Sequence, residues 1–269
     1  MNKVDNIIKN IEKGVQEIFT SDRYLNYLNT LSKFHHYSLN NTLLINMQYP
    51  NASLVASYTT WKKSFNRQVK VHEKAIKIIV PYIKKKTQLN EMGESVEEET
   101  ILGYRIGNVF DYNQTEGDEL PTLSCKLEGK VDNYDKIISA IIKASKVKII
   151  FEKLEDNIDG FFNKTTNEIH IRDNMSEVQT INALIHELTH AYMHTGSFIN
   201  LLKDTNTQEV EAESVSYVVC KYFDIETKEN SFAYIATWSK DKNLSELKSS
   251  LDTISEMANE FINKINKFL

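Results

Sequence analysis

Apolar residues recur at helical spacing along the N-terminal part of the chain. Intervals of three and four residues are typical of an amphipathic helix, whose apolar stripe packs against a core. This period predicts helices over residues 4–19, 21–34, 39–50 and 55–65. Ser21 and Asp22 resemble a helix start, and Pro50 ends the third helix because the residue before a proline disfavours helical geometry.

The next part of the chain changes to patterns that are typical of strands. Short runs of β-branched and aromatic residues predict strands over residues 69–71, 75–83 and 103–112. The segment KKKTQLNEMGESVEEET, residues 84–100, has three lysines, five glutamates and few apolar residues. It predicts an exposed loop or hairpin tip. A turn-rich segment follows, so we expect a domain boundary between residues 118 and 130.

The C-terminal half has a clearer alternation of elements. Its patterns predict helices over residues 133–146, 176–194, 206–223 and 247–268. A strand is predicted at residues 147–152, and a hairpin opened by Gly160 at residues 160–173. The sequence therefore predicts an α+β fold with two domains. Residues 1–125 form a small mixed α/β domain, and residues 126–269 form an α-rich domain with a short sheet.

Composition restricts the classes of function that fit. The 269 residues carry a net charge of −5, with 41% hydrophobic and 26% charged residues, as in ordinary globular proteins. Nucleic-acid binding would therefore require a local basic patch. Cys125 and Cys220 form no metal-binding spacing, and Cys220 is predicted to be a buried core thiol. No long apolar run or signal core is present, so we expect a cytoplasmic protein without membrane contact.

The predicted helix at residues 176–194 contains the sequence LIHELTHAYMH. His186 and His190 are one helical turn apart and can share one ion, and imidazole suits Zn²⁺. Glu187 can reach a water on the metal and act as general base for attack on a peptide bond. The alternative is a chance match on a solvated face. The apolar neighbours argue against it, because burying these polar groups without partners is costly.

Two histidines leave the ion without a third protein ligand. Ser197 stands where a longer version of the motif has another histidine, so we expect a carboxylate from the next long helix. We favour Glu209 as the ligand, with Glu213 one turn later as a hydrogen-bond acceptor for a histidine or a substitute ligand. Glu211 points away from both, and we interpret it as part of a solvated acidic face.

Substrate-binding groups are harder to identify from the sequence. The strand NEIHI, residues 167–171, could pair with an extended substrate or could be scaffold. Tyr234 and Tyr217 are candidate donors to a developing oxyanion, although such tyrosines are often core aromatics.

A basic segment lies in the N-terminal half. Residues 61–86 hold nine lysines and arginines against one glutamate, interleaved with Trp61, Phe65 and Tyr82. Cations that contact phosphates, beside aromatics that stack on bases, are typical of single-strand binding. The alternative is a solvated basic face over a small domain.

The segment YSLNNTLLINMQYP, followed by Trp61 and by RQVKVHEKAIKI, resembles the N-terminal domain of the ArdC-type antirestriction proteins. The C-terminal half, with LIHELTHAYMH and EVEAESVSYVVC, is similar to their zincin-like metallopeptidase domain and more distantly to ImmA/IrrE-type peptidases. Asn66 and His72 replace glycines of the usual pattern and Ala75 takes the last small position, which leaves the loop path at His72 in question.

The resemblance implies a protein of a mobile element that protects incoming single-stranded DNA from host restriction. We expect DNA contacts from Tyr37, Asn41, Gln48, Trp61, Lys62, Lys63, Arg67, Lys70 and Lys74. A host defence or regulatory protein is the possible substrate of the zinc-dependent peptidase. The alternative is a non-enzymatic single-strand-binding protein whose zinc site is structural or vestigial. A nuclease is disfavoured, because no acidic cluster suited to Mg²⁺ stands out.

Overall fold

The computed structural model describes residues 3–89, 95–120, 132–193, 203–225 and 235–269. The chain divides into two compact units. The first unit comprises Met1–Gly14 and Asn40–Pro121, and the second comprises Val15–Leu39 and Thr122–Leu269. Residues 15–39 thus group with the second unit, although the sequence analysis assigns them to the first domain. The predicted boundary at residue 125 lies outside the described residues and stays a prediction.

The first unit contains two small antiparallel sheets and short helices. One sheet has the strand order β1-β4-β3, and the other pairs β2 with β5. The strands are β1 Val55–Ser57, β2 Arg67–Val69, β3 Ile76–Leu89, β4 Ser95–Asp111 and β5 Thr115–Gly117. The helices are α1 Lys3–Ile18, which continues into the second unit, α3 Leu39–Gln48 and α4 Tyr58–Ser64.

Helix α4 is shorter than the helix predicted over residues 55–65. Val55–Ser57 pairs with β4 instead, and Ser57 caps the helix by accepting the backbone N–H of Thr60 at 3.1 Å. The cap at Ser57 fixes the helix start at Tyr58. Val55–Ser57 are therefore outside the helix and pair as a strand, although their sequence has a helical period.

Strands β3 and β4 form a long ribbon that extends into residues 84–100, which matches the hairpin alternative of the prediction for this segment. Their register continues to the pair Leu89 and Ser95, with an irregularity after Tyr82. The charged composition of this segment is therefore compatible with strand pairing.

Helix α3 closes the outer edge of β3 through two side-chain amides. The amide of Asn41 donates to the carbonyl of Ile79 at 2.9 Å and accepts its N–H at 2.8 Å. Gln48 does the same with Lys77, at 2.9 and 3.0 Å. Backbone groups that would be unpaired at a sheet edge are thus satisfied by side chains.

The second unit is mainly helical around a short sheet. The helices are α2 Ser21–Lys33, α5 Asp132–Ala144, α6 Glu177–Met193, α7 Thr205–Tyr222, α8 Ile235–Trp238 and α9 Leu244–Asn266. The sheet has the order β6-β8-β7, with β8 parallel to β6 and antiparallel to β7. Its strands are β6 Lys148–Glu152, β7 Gly160–Asn163 and β8 Glu168–Arg172.

The core of the second unit lies between the sheet and the helices. Ile169 and Ile171 of β8 are fully buried, as are Leu184 of α6 and Val215 of α7. Cys220 is also fully buried, as predicted, and burial raises the pKa of its thiol to about 12. None of the helices in the described ranges is long and apolar enough to cross a membrane.

Candidate metal centre

Helices α6 and α7 bring two imidazoles and one carboxylate together. The Nε2 atoms of His186 and His190, one turn apart on α6, are separated by 3.0 Å. Glu209, in the second turn of α7, lies opposite, with Oε2 3.4 Å from Nε2 of His186 and Oε1 3.4 Å from Nε2 of His190. Among the described residues, these three form the group of ligand-type side chains whose atoms lie within 4.8 Å of one another.

The donor set fits a divalent cation. Two imidazole nitrogens and a carboxylate oxygen are a known set for zinc sites that keep one position open. Bonds of about 2.0–2.1 Å in a tetrahedron separate its ligand atoms by about 3.3–3.4 Å. The observed separations of 3.0, 3.4 and 3.4 Å are close to that value.

The electrostatics of the cluster favour positive charge at its centre. The contacts with His186 and His190 hold the pKa of Glu209 far below its ordinary value. Burial lowers the pKa of His186, but the contact with Glu209 and the charges of Glu187 and Glu213 outweigh it, so the net shift is upward. Carboxylates that stabilise a protonated imidazole in a desolvated position also stabilise a bound cation.

Glu187 lies beside the cluster, against strand β7. Burial raises the pKa of its carboxyl, whereas the two imidazoles and the backbone N–H of Phe162 act in the opposite direction. The absence of a side chain at Gly160 makes room for Glu187, because a β-carbon there would lie 3.2 Å from Cγ of Glu187. From the sequence alone, Gly160 is only the start of a predicted hairpin. Contacts to a helix distant in sequence were not deducible from the local pattern.

The acidic residues of α7 separate into different environments. Glu213 is half-buried, and its charge contributes to the raised pKa of His186. The interpretation of Glu211 as solvated is wrong, because its side chain is 0% exposed. Lys203 donates to its Oε1 at 2.6 Å and Ser250 at 2.8 Å. Lys203 lies just before α7, and its positive charge compensates the negative charge of the buried Glu211 carboxylate.

Two of the predicted substrate-binding groups, strand β8 and Tyr217, are engaged in structural contacts. Strand β8, which contains most of NEIHI, is paired on both sides, so its backbone is not open to a substrate. The Tyr217 hydroxyl donates to Oδ1 of Asn29 at 3.0 Å and its ring is buried, which matches the core alternative. Tyr234 lies outside the described residues.

Two of the predicted DNA contacts are buried inside the first unit. Trp61 is 0% exposed, and its indole N–H donates to the carbonyl of Phe110 at 2.8 Å, so its ring is not available to a base. Arg67 is also buried. It donates to the hydroxyl and carbonyl of Thr115 at 2.8 and 3.0 Å, and it lies 4.2 Å from the centre of the Tyr112 ring. Its guanidinium therefore joins β2 to β5.

The other predicted contacts fall into two groups. Asn41 and Gln48 use their amides on β3, as described above, and half-buried Tyr37 packs edge-on against Phe34 in the second unit. These side chains therefore have structural partners. The lysines of the prediction are exposed, namely Lys62, Lys63, Lys70 and Lys74.

The two residues that replace glycines, one before strand β2 and one after it, have a left-handed backbone. Asn66 has φ of 50° and His72 has φ of 68°. Both values lie in the region that glycine adopts without steric cost. The backbone at these positions therefore follows the path of a loop that contains glycine, although larger residues occupy it.

Comparison with known families gives a match for each half of the chain. Residues 2–110 match the N-terminal domain of anti-restriction factor ArdC, and residues 142–260 match the IrrE N-terminal-like domain. An uncharacterised protein of Bacillus anthracis is 29% identical over an alignment that covers 90% of this chain and 48% of that protein. The chain thus spans about half the length of this curated relative.

Two solved structures share the fold. They are crystal structures of the antirestriction protein ArdC from plasmid R388, one metal-free and one bound to Mn(II). The TM-scores are 0.54 and 0.51, at 16% and 17% identity, and each comparison covers 87% of this chain and 86% of the other. Together with the two domain matches, this likeness confirms the predicted α+β fold with two domains and the resemblance to the ArdC-type proteins.

Proposed function

Starting from an ArdC-like chain with an IrrE-like second domain, we propose that it is an antirestriction-type protein that binds single-stranded DNA and carries a zinc-dependent peptidase site. One Zn²⁺ would be held by His186, His190 and Glu209, with Glu187 as the general base. The observation that carries the proposal is the convergence of two Nε2 atoms and one carboxylate within 4.8 Å, beside a half-buried second carboxylate.

The roles of the side chains follow from their positions. When bound, a divalent cation supplies Lewis acidity towards a carbonyl oxygen and makes a water molecule more acidic. The Glu187 carboxylate accepts the proton of the attacking water and delivers it to the leaving amine. Its raised pKa suits this cycle, because burial makes the carboxyl a stronger base than an exposed glutamate. Glu213, one turn later on α7, carries a negative charge that stabilises positive charge at His186.

A peptide would bind along strand β7. This strand lies at the edge of the sheet, and the Phe162 N–H contacts Glu187. An extended chain can add to a sheet edge by backbone hydrogen bonds, which places its carbonyl groups next to the cluster. The proposal therefore replaces β8, which is paired on both sides, with β7 as the substrate strand.

DNA binding in this proposal belongs to the first unit. The ArdC N-terminal domain match supports interaction with DNA, and the exposed lysines supply phosphate contacts. Trp61 and Arg67 are buried, so they make no direct contact with DNA in this proposal.

The test combines metal analysis with a peptidase screen. The wild-type chain should bind one equivalent of Zn²⁺ and cleave members of a fluorogenic peptide library, with and without single-stranded DNA. Glu187→Gln should keep the zinc and lose cleavage, because the amide is not a base. His190→Ala should lose both.

The outcomes separate the proposal from the non-enzymatic alternative. If Glu187→Gln protects single-stranded DNA in a restricting host as well as the wild type does, peptidase action is not the basis of antirestriction. If the wild-type chain binds no zinc, the metal site is wrong.

A further inference from the structure

The β3–β4 ribbon exposes a tyrosine next to an open space. Tyr82 is 56% exposed and is paired across the ribbon with Gly103. A β-carbon built on Gly103 would meet no atom within 4 Å, so the position opposite the tyrosine on the paired strand is open. Cross-strand neighbours normally cover one another, and a glycine opposite an aromatic residue leaves part of the ring uncovered.

Two cations share this face of the ribbon. Lys84 follows Tyr82 by two residues along β3, and Arg105 follows Gly103 by two residues along β4, so alternation puts both on the side of Tyr82. Both side chains are exposed. The ion pairs found among the described residues involve neither of them.

We propose that Tyr82, Lys84, Gly103 and Arg105 form a stacking site for one nucleotide of single-stranded DNA, named here the Tyr82 slot. A base lies over Gly103 against the tyrosine ring, and the phosphates on its two sides contact Lys84 and Arg105. The inference rests on the proposed function and adds the surface through which the first unit binds the strand.

The opposite face of the ribbon lacks this combination. Tyr104 is 59% exposed there, but it is paired with Pro81, and Ile79 and Ile106 lie on the same side. The same-face pairs next to Tyr104 are apolar and the exposed Lys77 lies two pairs further along β3, whereas Tyr82 has a cation two residues away on each strand. An aromatic ring between two cations attracts a phosphate backbone. Tyr104 is therefore a matched control, with the same residue type and nearly the same exposure on the other side.

The first experiment is fluorescence anisotropy with a labelled oligothymidylate. Because stacking on an aromatic side chain stabilises a bound base, Tyr82→Ala should weaken binding by about 5- to 150-fold. Tyr82→Trp should retain binding, and Tyr104→Ala should bind as the wild type does.

The second experiment fills the slot without removing a contact. Gly103→Val should leave the thermal unfolding temperature unchanged or higher, because valine favours strands and meets open space. The same substitution should weaken binding of the oligonucleotide about as much as Tyr82→Ala does. Lys84→Ala with Arg105→Ala should reduce the slope of log affinity against log salt by about 1.4, since each phosphate contact contributes about 0.7.

Three results would overturn the site. If Tyr82→Ala and Gly103→Val bind normally while Lys62→Ala with Lys63→Ala does not, the strand binds elsewhere and the proposed function stands. If Tyr82→Ala changes only the sedimentation coefficient, the face is a contact between copies of the chain. If the wild type does not bind the oligonucleotide at all, DNA binding itself is wrong.

Discussion

The Cγ atom of Glu187 lies 3.2 Å from the point that a β-carbon on Gly160 would occupy. The same point is 2.9 Å from the carbonyl oxygen of His170 and 2.8 Å from Cδ1 of Ile171. A methyl group there must displace backbone or the proposed base, so strand β7 and helix α6 can approach this closely only with glycine at this position.

Gly160→Ala should therefore destabilise the chain by about 1–3 kcal/mol, the typical cost of overpacking. It should also lower kcat for peptide cleavage more than it lowers zinc affinity, because Glu187 moves while the ligands stay. Urea unfolding and zinc titration measure the two effects. Gly103→Ala is the control for stability, and equal unfolding of the two variants would contradict the packing argument.

Glu209→Gln and Glu213→Gln should differ in zinc affinity. Residues that support a ligand contribute about 10- to 100-fold, so Glu213→Gln should weaken binding within that range. Glu209→Gln should weaken it further, because it removes a charged ligand atom. Competition with a fluorescent zinc chelator gives both constants. A larger loss for Glu213→Gln would identify Glu213 as the ligand.

The Lys203–Glu211 ion pair should be sensitive to removal of one partner. Glu211 is fully buried, and the side chain of Lys203 is 12% exposed. Lys203→Met should cost about 3–5 kcal/mol, because it leaves a buried carboxylate without its cation. The double variant Lys203→Met with Glu211→Leu should recover most of that loss in urea unfolding. Additive losses would mean that the two side chains act independently.

His72→Gly should stabilise the chain by about 0.5–1 kcal/mol. A left-handed conformation costs a non-glycine residue about 1–2 kcal/mol, and the added flexibility of the unfolded chain offsets part of the gain. The exposed His72 has little packing to lose. Asn66→Gly is the comparison. Asn66→Gly should not raise the free energy of unfolding, because asparagine tolerates this conformation and its amide donates to Oδ2 of Asp118 at 2.7 Å.

Asp204 should make folding sensitive to acid. Its ion pair with Lys242 and its bonds to Thr207 at the start of α7 lower the pKa of its carboxyl to about 2. Its contribution is therefore present above the unfolded pKa of about 3.9 and is lost as the pH falls through about 2.

The matched variants are Asp204→Asn, which keeps the helix cap, and Asp204→Ala, which costs about 0.5–2 kcal/mol at neutral pH. The difference in unfolding free energy between wild type and Asp204→Asn should shrink as the pH falls from about 4 to about 2, because the wild-type carboxyl loses its advantage there. A difference that is constant with pH would exclude the Lys242 pair as its source.

The metal cluster was accessible from the sequence because its spacing is local. A helix fixes the direction of His186 relative to His190, and the four-residue step from Glu209 to Glu213 identifies a shared face of α7. The prediction for Glu211 is wrong for the opposite reason. Its burial depends on Lys203 and Ser250, and the pattern of α7 alone does not contain those contacts.

The basic segment was the less informative signal. It correctly indicated exposed lysines, but a count of aromatics did not distinguish Trp61, which is buried, from Tyr82, which is exposed. That distinction depends on pairing across the ribbon. The residue opposite Tyr82 is Gly103, which lies 21 residues further along the chain and is brought there by the register of β4.

The amides of Asn41 and Gln48 have a consequence for solubility. Strand β3 is rich in isoleucine and valine, and such a strand left open would recruit copies of itself. With the two amides bonded to its backbone at Lys77 and Ile79, this edge of β3 is covered by helix α3, which cannot propagate a fibril. Replacing either amide with an aliphatic residue would leave backbone groups of Ile79 or Lys77 unpaired at a sheet edge, which is a template for aggregation.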